Sequence, residues 1–205
     1  MASLPIFPLS TVLFPGGLLP LRVFEARYMD MIRDTMRHGG EFGVCLIRKG
    51  NEVAERGVDI ETIGCRARID DWNMEQLGVL QIETTGTERF HILSHRQQPD
   101  GLMIAEVEAT ELEPFATVPA AYEDCRVLLE RIVKRLDDAV ASDQDEDVPM
   151  PIAKPYRFDD ASWVGNRLCE LLPIPAPTRH KLMALTDAPA RLDIVQRYLK
   201  QHGIV

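Results

Sequence analysis

Apolar and polar positions alternate along this chain in two different periods, and the change of period falls near residue 113. From Leu4 to Leu9 and from Leu18 to Leu21 the chain is nearly continuously apolar around Phe14-Pro15-Gly16-Gly17, which predicts strand, tight loop, strand. Prolines at 5, 8, 15 and 20 carry no amide hydrogen, so these strands are expected at an edge, beside a bulge, or paired over a few residues only, and not in a central position. From Phe24 the apolar positions Phe24, Tyr28, Met31, Ile32 and Met36 recur every three or four residues, predicting an amphipathic helix stopped by Gly39-Gly40. Strands follow over Phe42–Ile47, Val58–Ile69, Val79–Thr85, Arg89–Ser94 and Met103–Leu112. The turn-like Asp70-Asp71-Trp72-Asn73 cluster, Gly86 and Gln98-Pro99-Asp100-Gly101 are read as the breaks between the last four.

Beyond Glu113-Pro114 the period becomes helical. Tyr122, Cys125, Leu128, Leu129, Ile132, Val133, Leu136 and Val140 mark one long amphipathic helix, and three shorter helices are expected over Ala161–Leu172, Thr178–Leu185 and Pro189–His202, the last capped by Asp187. Between them, SDQDED and the proline-bearing run to Pro155 lack any period and read as an acidic linker at about 142–155. The expected architecture is α+β: a β-barrel with one early helix over 1–113, then an α-helical bundle over 114–205.

The opening run LPIFPLSTVLFPGGLLPLRVFEARYMDMI resembles the signature that begins the Lon protease N-terminal, substrate-binding domain. Phe42-Gly43-Val44, Ile63 to Ile69, Gly86-Thr87-Glu88-Arg89-Phe90 and the tail LCELLPIPAPTRHKLMALTDAPARLDIVQRYL are similar to later parts of that family, in the same order. The resemblance implies a PUA-like barrel and a role in recognising protein. Cys65 stands where the family's Gly-Thr pattern commonly has threonine, so no hydroxyl role is carried over to that position.

Composition narrows the field. The 205 residues are 45% hydrophobic, enough for an ordinary core, and no 18-residue apolar run or signal-peptide pattern is present, so a cytoplasmic protein with no membrane role is expected. A net charge of −9 disfavours nucleic acid. Cysteines at 45, 65, 125 and 169 form no CxxC pair and are expected to pack as small buried apolar groups.

Catalytic patterns are missing. None of the serines at 3, 10, 94, 142 and 162 lies in GxSxG, and neither GxxxxGK[ST] nor GxGxxG occurs, so a complete Lon enzyme's ATPase and Ser-Lys protease parts are absent from this sequence and neither a catalytic residue nor a cofactor is assigned. For metals, His91 and His95 on one strand would stand roughly 13 Å apart. Glu106, Glu108, Glu111 and Glu113 read as a solvated strand face, and Asp143, Asp145, Glu146 and Asp147 lack EF-hand spacing. Arg22, Arg27 and Arg33 are balanced by Glu25, Asp30 and Asp34.

The candidate binding site is therefore the apolar loop, with Leu13, Phe14, Leu18 and Leu19 as peptide-binding residues; the competing reading places the same side chains in the core. The expected function is a non-catalytic module that captures unfolded or extended polypeptide, with a possible protease partner. The alternatives are a small enzyme of unadvertised chemistry or a PUA-like RNA-binding module.

Overall fold

A computed structural model describes residues 2–50, 58–142 and 150–205. It is α+β, with a largely antiparallel sheet and, among the described residues, five α-helices. By internal contacts the chain divides into two compact units, Met1–Glu111 with Pro175–Ala184, and Leu112–Ile174 with Leu185–Val205.

In the first unit β1 (Ala2–Leu9) and β2 (Leu18–Val23) precede α1 (Ala26–His38), followed by β3 (Phe42–Lys49), β4 (Asp59–Ile60), β5 (Ile63–Gln76), β6 (Val79–Gln97) and β7 (Met103–Ala109). Pairing runs β1-β7-β6-β5-β3-β4, and β1 also pairs with β3 in parallel, so the ladder returns to the strand it began from. β1 thus has neighbours on both sides and is more central than its prolines suggest, yet it pairs with each over only a few residues, as they require. The reason is a division of labour along the strand: Ala2–Ile6 pair with β7 and Ile6–Leu9 with β3, so Pro5 and Pro8 each sit in a stretch paired on one side.

That strand also explains the unbroken apolar run. Ile6 joins a core with Cys45, Phe90, Ala105 and Val107, whereas Phe7 joins a second core with Tyr28, Ile32, Phe42, Val44 and Ile82. Both faces are buried, so alternation with polar residues disappears. Phe7 and Tyr28 stack with ring centroids 4.1 Å apart, which fastens α1 to the sheet. The helix ends where Gly39 turns left-handed, at φ 60°.

Two expected breaks in the sheet are not breaks. Asp70-Asp71-Trp72-Asn73 lies within the 14-residue β5, and Gly86 lies within the 19-residue β6. The reversal is at Leu77-Gly78, with Gly78 at φ 83°. Polar, turn-forming residues are tolerated in β5 because the ladder to β6 supplies its backbone hydrogen bonds, with register shifts between Ile69 and Asp71 and between Asn73 and Gln76 absorbing the irregularity. β6 changes core at Gly86: Leu80 and Ile82 serve the α1 side, Phe90 and Ile92 the other. One strand with two apolar halves looks like two strands in sequence.

The second unit contains α2 (Glu123–Ser142), α3 (Ala161–Leu171) and α5 (Ala188–Gln201), while α4 (Ala176–Ala184) belongs to the first unit. Asp160 accepts from the amides of Ser162 and Trp163, and Asp187 from that of Ala190, so both helices start on an aspartate cap. α4 has no pronounced apolar face. It is fastened by polar groups: His180 Nε2 donates to the Ile63 carbonyl at 2.9 Å, and Arg89 Nε donates to the Met183 carbonyl, meeting the negative end of the helix. The expected linker falls mostly on residues 143–149, which lie outside the described residues.

All four cysteines are free and buried, as the sequence predicts. Burial pushes the Cys45 thiol far up and the Cys125 thiol up to about 11, so neither supplies thiolate near neutrality. A thiol-reactive chromogen at pH 8 is expected to find almost no reactive group in the native protein and all four after denaturation; rapid reaction of even one native thiol would contradict the packing.

Candidate functional site

The apolar loop is held by backbone bonds. Gly16 N–H donates to the Gly86 carbonyl at 2.7 Å, Gly86 N–H to the Gly17 carbonyl at 2.8 Å, and Thr84 Oγ1 to the Leu19 carbonyl at 2.7 Å. Clamped onto β6 in this way, the loop points Leu13 and Phe14 inward, at 3% and 0% exposure. For these two side chains the competing reading holds: Pro15 and Gly16 are half-buried, Gly17 is buried, and the residues before them fill the core. Leu18 and Leu19 are half-buried, and Leu19 packs against the α1-side core.

Some of the exposed apolar side chains border two cavities beside α1. Phe24, read in sequence as part of the buried stripe, is 57% exposed and borders a cavity of about 190 Å³ shared with Pro20, Leu21 and Tyr28. In the second, Met29 and Met36 of α1 face Trp72 and Met74 of β5 and Leu80 of β6 across a groove of about 320 Å³, with Arg33 and Arg37 also lining it. Trp72 is 53% exposed, and Leu77 at the tip of the same hairpin is almost fully so. Two positions apart on one strand, Trp72 and Met74 point to the same face. Three methionines and an indole make a surface that repacks around apolar side chains of different shape. Arg33 pairs with Asp30 at 2.9 Å and Arg37 with Asp34 at 3.9 Å, all four side chains being well exposed.

Sequence reading missed this groove because Asp70 to Asn73 looked like a turn. The spacing of Trp72 and Met74 opposite the apolar Leu80 and Ile82 was the available signal, once the hairpin is closed at Leu77-Gly78.

The titratable candidates are dispersed. His91 Nδ1 faces Glu108 at 3.5 Å across the β6–β7 ladder, and no group of three or more His, Cys, Asp or Glu suited to a metal ion occurs among the described residues. Glu106, Glu108 and Glu111 are exposed as expected, but the Glu113 side chain is buried against Arg191. Arg48 holds the Asp59 carboxyl below its ordinary range, Arg126 does the same for Glu123, and burial with the Asp137 hydrogen bond lifts Tyr156 to about 12. None of these groups lines either cavity. Among the described residues no helix is long and apolar enough to cross a membrane.

Comparison with known proteins identifies the fold. Residues 3–201 match the model of the ATP-dependent protease La (LON) substrate-binding domain. A Lon N-terminal domain protein from Xanthomonas campestris has the same fold, with a TM-score of 0.77 and 33% identity over 97% of this chain and 99% of that one. Lon protease 2 of Myxococcus xanthus is 24% identical over 203 residues, 97% of this chain, and the Lon protease of Anaeromyxobacter dehalogenans is 33% identical over 111 residues, 54% of this chain. The chain spans only 23% and 13% of the length of those two proteases.

Proposed function

This chain belongs to the LON substrate-binding domain family, and from that premise we propose that it is a non-catalytic module that captures unfolded or degradation-prone polypeptide in the cytoplasm, in the service of a protease partner. The observation that carries this reading is the methionine-lined groove with Trp72 at its edge. On a chain of net charge −9 this apolar patch lies open beside a guanidinium rim, and such a patch fits a binding role better than a packing one. Leu18 and Leu19, half-buried on β2, are proposed as a secondary contact, while Leu13 and Phe14 act as its support. The return of strand pairing from β3 to β1 supports the barrel in the proposed architecture, and the family supports its PUA-like character.

The test is binding of a reduced, carboxymethylated, permanently unfolded protein, compared with the same protein in its folded form. Micromolar capture of the unfolded form alone is expected, weakened about tenfold by Met36→Asp with Met74→Asp at unchanged circular dichroism, and less by Leu18→Asp with Leu19→Asp. Equal affinity for folded and unfolded forms, or RNA capture in preference to both, would overturn the reading.

A further inference from the structure

We infer that the β5 edge beside this groove is a strand-addition site, taking an extended segment with alternate apolar side chains and a flanking carboxylate. The inference rests on the polypeptide-binding reading above and specifies how the segment is held. β5 pairs with β3 only through Cys65–Ala67, while its ladder to β6 continues to Gln76. From Arg68 to Gln76, therefore, no strand covers its outer side among the described residues. The Trp72 amide donates to the Asp71 carboxylate at 2.8 Å, which marks a backbone donor served by a side chain at that edge. Such an edge is a template for another strand. β2, which pairs with β6 alone among the described residues, is blunted by Pro20, and β5 carries no proline there.

The groove and the edge share residues. Trp72 and Met74 line the groove from β5, so a segment added to that edge lays every second side chain beside them and toward Met36. Charge selects further. The two ionic residues lining the groove are Arg33 and Arg37, and no carboxylate lines it. Their partners Asp30 and Asp34 lie on exposed helix positions, where such pairs contribute little and exchange readily. Asp70 and Asp71 of the strand are committed, Asp70 to Arg68 and Thr85 and Asp71 to the Trp72 amide. An incoming carboxylate thus meets free-energy gain at the rim, whereas a second copy pairing edge to edge would bring two Asp70-Asp71 pairs into one ladder.

The probe is a capped heptapeptide, acetyl-Glu-Val-Thr-Leu-Thr-Val-Glu-amide, followed by Trp72 fluorescence. Three comparisons decide. Methylating alternate backbone nitrogens on the pairing edge is expected to weaken binding at least about tenfold, since strand addition needs those donors. Replacing both glutamates by lysine is expected to weaken it about tenfold, and Arg33→Gln with Arg37→Gln is expected to erase that difference. Unchanged affinity after backbone methylation overturns strand addition, and equal binding of the glutamate and lysine peptides overturns the charge selection. If the unfolded protein binds while the heptapeptide does not, this inference fails and the proposed function stands; if neither binds, both fail. Self-association of the protein that Met74→Asp abolishes would assign the edge to a second copy instead and overturn the inference.

Discussion

Glu113→Ala is expected to cost the helical unit about 3–5 kcal/mol, the largest single effect predicted for this chain, because it removes the carboxylate partner of a buried guanidinium. Arg191 is fully buried, and the Glu113 side chain is 4% exposed. The guanidinium meets both carboxylate oxygens, with Nη1 at 3.1 Å from Oε2, and also donates to the Leu185 carbonyl; Ser162 donates its hydroxyl to the same carboxylate. One extended residue thereby ties the starts of α3 and α5 together through side chains. Denaturant unfolding followed at 222 nm should show the loss. The double variant Glu113→Leu with Arg191→Met should recover much of it, since replacing a buried pair by apolar residues of similar volume is often neutral or better. A loss below about 1 kcal/mol in Glu113→Ala would mean that water reaches the pair.

Gly86→Ala is expected to destabilise the sheet unit by about 3 kcal/mol through a single methyl group. A Cβ there would lie 2.1 Å from the Phe14 carbonyl oxygen and 3.0 Å from the Leu13 Cγ. The oxygen belongs to backbone, so the loop must leave β6, and the Gly16 and Gly86 amides lose their partners with it. Thermal unfolding and faster hydrogen exchange at these two amides report the change. Gly40→Ala is the control: its nearest neighbour would be 3.9 Å away, and a change within about 0.5 kcal/mol is expected. Equal melting of the two variants would contradict the clamp.

These residues also show what a sequence conveys and what it conceals. Periodicity locates α1, α2 and α5 because each has one wet face and one dry face, and Asp187 announces its helix through a local cap bond. Gly86 conceals its role because a close approach to Phe14, 72 positions earlier by number, leaves the same letter as a turn. Glu113 reads as one of four surface acids because nothing local marks Arg191 as its partner. The candidate site suffered most. Its residues are apolar letters in both the loop and the hairpin, and only tertiary pairing decides that Phe14 is covered while Trp72 is open.

The placement of α4 has a consequence for synthesis. Arg89 and the Ile63 carbonyl find their partners, Met183 and His180, in a segment the ribosome delivers about 90 residues later or more. A nascent chain stopped after β7 would hold every strand of the sheet among the described residues yet lack the contacts that His180 and Met183 make with Ile63 and Arg89. The order in which this protein is made is therefore not the order in which its units close.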